Sequence, residues 1–138
     1  MQEAGLTVLV VEDEPIIRFA LVDALEEKGY CVLEASNVLE AVGIIGKVEH
    51  IAAVVTDIDM PGGLTGLDLV EILDKSQHQI AVVVTSGGHG PDGLTLPADA
   101  RFFSKPYHFD DILFALRSSI AAKVKLMKKR RGFRLVRA

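Results

Sequence analysis

A second cysteine is missing from this sequence, so Cys31 can form neither a disulfide nor a cysteine-based metal site within one chain. Its neighbours Tyr30, Val32 and Leu33 predict that it fills the core. Long apolar runs are missing too: the longest, such as Ile80 to Val84, are strand-sized and fall far short of the roughly 18 residues of a membrane span. No basic-then-apolar leader precedes the first strand-like residues, which predicts a cytoplasmic protein with no membrane role rather than an exported one. His50, His78, His89 and His108 show no metal-ligand spacing, and the glycine-rich stretch from Gly87 to Gly93 lacks the lysine order of a phosphate-binding loop, so nucleotide binding is not expected. Internal repeats and low-complexity tracts are absent. Positive charge is scarce everywhere but at the end. Residues 1–122 hold seven Lys or Arg against 19 acids, a net charge of −12, whereas residues 123–138 hold eight bases and no acid. The acidic body argues against a nucleic-acid platform. The basic tail reads either as a solubilising continuation of the last helix or as an electrostatic handle for an acidic kinase, a nucleic acid or the protein's own body.

The 138 residues are 49% hydrophobic and 25% charged, the balance of one globular domain. Short continuous apolar runs alternate with amphipathic stretches, as in a parallel sheet covered by helices on both faces. Strands are predicted at Thr7 to Val11, Tyr30 to Ala35, Ala52 to Thr56, Ile80 to Val84 and Arg101 to Ser104, with the fourth, the most apolar, at the centre. A first helix begins at Pro15, buries Ile17, Ala20, Leu21, Ala24 and Leu25, and ends at Gly29. A second buries Val38, Ala41, Val42 and Ile45; a third runs from about Leu67 to Ser76; a last one, from Phe109 to about Met127, turns Phe109, Ile112, Leu113, Leu116 and Ile120 inward. Between the fourth and fifth strands Gly87, Gly88, Gly90, Pro91, Gly93 and Pro97 degrade the expected fourth helix to an irregular segment or a single turn. The body, residues 1–122, is one doubly wound α/β domain, and residues 123–138 continue its last helix.

Ligands of open parallel sheets gather beyond the carboxyl ends of the strands. Those ends carry Glu12-Asp13-Glu14, Asp57 with Asp59, Thr85-Ser86 and Lys105-Pro106. Converging carboxylates repel one another, and the usual remedy is a hard divalent cation, of which Mg²⁺ is the commonest. A carboxylate beside Mg²⁺, a lysine and a hydroxyl is the kit for receiving a phosphoryl group. Asp57 is the candidate nucleophile, fixed by the apolar run Ala53-Val54-Val55 before it. Alone, residues 12–14 would serve merely as favourable charges for the helix begun at Pro15, and the Asp59 side chain would simply face water. A phosphohydrolase of haloacid dehalogenase type is the rival reading of Asp57-Ile58-Asp59, but its motif belongs on the first strand. A flavodoxin-like cofactor binder is disfavoured because Glu12 and Asp13 would repel a flavin phosphate.

These residues resemble the receiver domain of bacterial two-component response regulators over about residues 6–121. Val8-Leu9-Val10-Val11-Glu12-Asp13, Asp57-Ile58-Asp59-Met60-Pro61, Gly66-Leu67, Thr85-Ser86 and Lys105-Pro106 follow the family's order. The resemblance implies a flavodoxin-like strand order 2-1-3-4-5. It implies phosphorylation of Asp57 by a histidine kinase or histidine phosphotransfer protein, with Lys105 and Thr85 assisting. It implies Mg²⁺ held by Asp13, Asp57 and the Asp59 carbonyl, with Glu12 helping through water. It places the switch hydroxyl at Thr85 and the switch aromatic at Phe102, which also reads as a packed core residue, and it implies a cis Lys105-Pro106 peptide. Such a protein catalyses only its own phosphorylation and dephosphorylation and passes the signal to a downstream protein partner. It is a stand-alone receiver or one cut from a hybrid kinase. Three departures are visible: the Pro61 to Gly66 loop is one residue longer than the common form, the fourth helix is degraded, and no effector segment follows.

Overall fold

The computed structural model describes residues 5–76, 79–88 and 93–137, and within the last stretch it details side chains to Leu126 and at Lys129. His78, His89, Gly90 and Pro91 lie outside the described residues. Five parallel strands form one sheet: β1 (Thr7–Val11), β2 (Cys31–Ala35), β3 (Ile51–Asp57), β4 (Ala81–Ser86) and β5 (Arg101–Ser104), in the order β2-β1-β3-β4-β5. Four helices are found among the described residues: α1 (Pro15–Glu27), α2 (Val38–Lys47), α3 (Gly66–Lys75) and α4 (Phe109–Arg137). The order is the one expected, and β4 is an inner strand with β3 on one side and β5 on the other, in keeping with its apolar run.

Local chemistry sets the helix ends. Pro15 opens α1, where a missing amide costs nothing, and Gly29 follows it at φ +94°, a left-handed conformation that favours glycine. The Asn37 side chain caps α2 through the Glu40 amide at 2.8 Å. Thr65 and Asp68 form a reciprocal capping box at the start of α3.

The sheet buries both faces in the period of two. Val8, Val10, Ala53 and Val55 face α1 and α4, meeting Leu21, Leu25, Ile112, Leu116 and Ile120. Leu9, Val11 and Val54 face α2 and α3, meeting Ala41, Leu69 and Leu73. Each fully buried leucine contributes about 1.5–3 kcal/mol of transfer free energy.

Three expected core residues are not in the core. Cys31 is exposed, because β2 is an edge strand and Cys31 stands at its start. Val42 is 37% exposed, since the inner face of α2 rotates toward Ile44 and Ile45. Phe109 is 38% exposed and stacks edge-on with the Tyr107 ring, centroids 6.0 Å apart, at the start of α4.

Residues 93–100 are irregular, with one turn closed from the Ala100 amide to the Pro97 carbonyl at 3.1 Å, in keeping with their glycine and proline content. Leu94 and Leu96 pack against Ile58, Val70 and Val84, leaving a groove of about 600 Å³ between this segment and α3. α4 runs unbroken into the basic tail; Lys123 pairs with Asp99 at 2.5 Å, and Val124 still packs on the core. No helix among the described residues is long and apolar enough to cross a membrane.

Candidate functional site

The carboxyl ends of β1, β3, β4 and β5 bring the predicted residues to one place. β1 delivers Glu12 and Asp13, and β3 ends in Asp57; one carboxylate oxygen from each of the three lies within 4.8 Å of the others. Glu12 and Asp57 are each only 3% exposed. Lys105, just past β5, reaches between them, its Nζ 3.0 Å from Glu12 Oε1 and 3.0 Å from Asp57 Oδ2. The Lys105 amide donates to the Ser86 carbonyl at 2.7 Å, which ties the two strand ends, and the Lys105-Pro106 peptide is cis.

Thr85 stands opposite Asp57 in the β3–β4 register and is buried, with the Ile58 amide donating to its carbonyl at 3.0 Å. Phe102 does not join this cluster. It pairs with Val84 in the β4–β5 register and packs, half-buried, beside Ile58 and Val70 near Leu94 and Leu96.

The electrostatics follow from three acids around one base. Burial pushes the Glu12 carboxyl above its ordinary range, against the downward pull of the Glu14 amide and Lys105. Burial alone would lower the Lys105 ammonium, but its hydrogen bonds to Asp57 and Glu12 outweigh that and hold it above the usual lysine range. The ammonium of Lys105 is therefore held in its charged form, and three acids face this one base.

Some of the supports were not foreseen. Arg18, one turn into α1, donates to the Glu12 carbonyl at 2.8 Å and pairs with Glu34 of β2 at 3.2 Å, fixing the bend after β1. The Asp59 side chain is not among the clustered carboxylates: its Oδ2 accepts from Ser86 Oγ at 2.6 Å and from the Gly87 and Gly88 amides at 2.9 and 3.1 Å. No pattern along the sequence signals these contacts, which depend on how β3 and β4 pair. Gly66 lets α3 start against the site, because a Cβ there would stand 2.2 Å from the Asp57 carbonyl oxygen.

An apolar groove of about 440 Å³ opens beside Lys105, lined by Ile16, Ile17, Ala20, Pro106, Tyr107 and Phe109. Ile16 is 83% exposed and Phe19, on the same side of α1, 57%.

The chain is similar in sequence and in fold to known proteins. The sequence model of the response regulator receiver domain matches residues 8–117. Sensor kinase CckA of Brucella abortus (strain 2308) is 38% identical over 106 residues, covering 75% of this chain; the chain spans 11% of that kinase's length. A crystal structure of a response regulator receiver domain protein from Clostridium thermocellum superposes with a TM-score of 0.79 at 29% identity, covering 88% of this chain and 98% of the other. The response regulator TrrA of Thermotoga maritima, crystallised in complex with Mg²⁺-BeF, gives a TM-score of 0.74 at 26% identity, covering 83% and 98%.

Proposed function

This chain belongs to the response regulator receiver domain family, and we propose that it works as a phosphorylation-dependent switch whose acceptor is Asp57. The observation that carries the reading is the buried Asp57 carboxylate bridged by Lys105 to Glu12, with Thr85 alongside. The donor is a phosphohistidine on a histidine kinase or phosphotransfer protein. An Asp57 oxygen forms the new O–P bond, the P–N bond breaks, and its electron pair passes to the imidazole, which takes up a proton. In this reading Lys105 donates to the transferring oxygens and Thr85 binds one of them, which the Lys105–Asp57 contact and the Asp57–Thr85 register support. The product is an acyl phosphate that water later hydrolyses. Output passes to a downstream protein through the surface around Thr85 and Phe102.

Glu12, Asp13, Asp57 and the Asp59 main-chain carbonyl would hold Mg²⁺, and the fit rests on the donor set: hard oxygens only, three carboxylates against one lysine, and a Glu12 already pushed up by burial. When bound, the ion offsets the charge of the carboxylates and of the phosphoryl oxygens. With a raised folded value, Glu12 contributes stability only at low pH; that contribution is lost as pH rises through the folded value, where the burial of its charge outweighs the relief given by Lys105 and the Glu14 amide. Mg²⁺ at roughly ten times its dissociation constant is therefore expected to raise Tm by about 5 °C at pH 7.5. A smaller rise is expected at pH 5, where protons compete for Glu12. Thermal melts at both pH values check this; an equal rise at both would remove Glu12 from the set.

The apolar groove beside Lys105 supports a protein as donor. Ile16→Ala with Phe19→Ala is expected to cut transfer from a phosphorylated histidine protein by about tenfold, as loss of two exposed apolar contacts implies, while leaving phosphorylation by acetyl phosphate unchanged. Equal loss with both donors would mean that the pair acts through the fold.

A further inference from the structure

Asp59 joins the Asp57 carboxylate to the turn that follows β4. Its amide donates to Asp57 Oδ1 at 3.0 Å, while its own Oδ2 takes the Ser86 hydroxyl and the Gly87 and Gly88 amides at 2.6, 2.9 and 3.1 Å. A hydroxyl and two successive amides aimed at one point make an anion-binding nest, here filled by the chain's own carboxylate. The nest is the first piece of the segment that connects β4 to β5, and the described part of that segment contains no helix. Hydrogen bonds thus run without a break from the acceptor carboxylate to the start of an irregular connection.

We propose that Asp59 is a latch read by phosphorylation: in the resting protein its carboxylate holds the Ser86–Gly88 turn, and the charge gained at Asp57 withdraws it. The inference rests on the Asp57 assignment above. Conversion of a carboxylate to an acyl phosphate turns one negative charge into about two and adds acceptor oxygens next to the Asp59 amide. A cation held by the acidic cluster does not cancel that change, because its charge is present before and after. The added charge repels the Asp59 carboxylate, and the Ser86 hydroxyl is an equally good donor to a phosphoryl oxygen. Withdrawal frees Gly87 and Gly88, whose lack of side chains leaves the turn with little else to define it. The connection carrying Leu94 and Leu96 then moves relative to α3, so the population of its arrangements shifts with phosphorylation.

Amide hydrogen exchange of Gly87 and Gly88, followed by NMR with and without acetyl phosphate and Mg²⁺, tests the latch, with phosphoryl occupancy measured by intact mass on the same samples. In the wild type both amides are expected to exchange at least about tenfold faster once phosphorylated. Asp59→Asn keeps an acceptor oxygen without the charge, and its two amides are expected to stay slow in the phosphorylated form. Asp59→Ala should exchange fast in both states. Unchanged exchange in fully phosphorylated wild type overturns the latch and leaves Asp57 as the acceptor. Release in Asp59→Asn equal to wild type overturns the role of charge. A wild type that gains no phosphoryl mass overturns the acceptor reading, and the latch with it.

Discussion

Asp57→Asn is expected to gain no phosphoryl group when incubated with acetyl phosphate and Mg²⁺, under conditions where the wild type gains one by intact mass. The amide has the shape of the carboxylate and keeps one acceptor oxygen, which can serve Lys105 Nζ or the Asp59 amide but not both, since these now bind different oxygens of Asp57; the shape is kept and one hydrogen bond is lost. What it lacks is the anionic oxygen that must form the O–P bond. Removal of a nucleophile with no nearby substitute lowers the rate by roughly a hundredfold or more. Glu12 is the nearest competitor: it is equally buried and shares Lys105. Two features count against it. Its Oε2 is engaged by the Glu14 amide at 3.1 Å, and burial pushes it toward its neutral form, which is no nucleophile. Asp57 also faces Thr85 directly across β3 and β4. Mass gain by the variant equal to that of wild type would move the acceptor to another residue and sink the assignment; partial gain mapped to Glu12 would show that the two acids compete.

The cluster of carboxylates around Lys105 was legible in the sequence because its parts sit where chain continuity and topology meet. Each of Glu12, Asp57, Thr85 and Lys105 ends or directly follows an apolar run, and in a parallel sheet those ends all point one way. The helix faces were legible where a single residue decided little: Leu21 and Leu25 of α1 are buried as their spacing predicts. Failures came where the answer depends on neighbours in space. Cys31 has a core-like sequence context, but the strand order puts β2 at an edge. Val42 lies one position off a face whose direction the packing of Ile44 and Ile45 fixes. The Asp59 contacts were invisible because they depend on the β3–β4 register, which brings Ser86 within 2.6 Å of a residue 27 positions earlier.

Gly66→Ala sets two rules against each other, and the geometry decides between them. Helix propensity favours alanine over glycine inside a helix by about 1 kcal/mol, and Gly66 begins α3 with no positive φ to excuse it. A Cβ at Gly66, however, would lie 2.2 Å from the Asp57 carbonyl oxygen, 2.7 Å from Ile58 Cα and 2.9 Å from the Asp57 carbonyl carbon. All three are main-chain atoms, so no side-chain rotation relieves the clash. Either α3 moves off β3, loosening buried Leu69, Val70 and Leu73, or the end of β3 moves and takes Asp57 with it. Overpacking of this kind costs about 1–3 kcal/mol and more where backbone must shift, which outweighs the propensity gain. The expected result is a Tm lower by roughly 5–10 °C and slower phosphorylation by acetyl phosphate. Gly43→Ala and Gly46→Ala in α2 provide the opposite case, since nothing lies within 4 Å of a Cβ at either position. Each is expected to stabilise the protein by about 0.5–1 kcal/mol. Thermal or urea melts of the three variants separate the effects: if Gly66→Ala is as stable as wild type, α3 does not need its close approach to the acceptor strand.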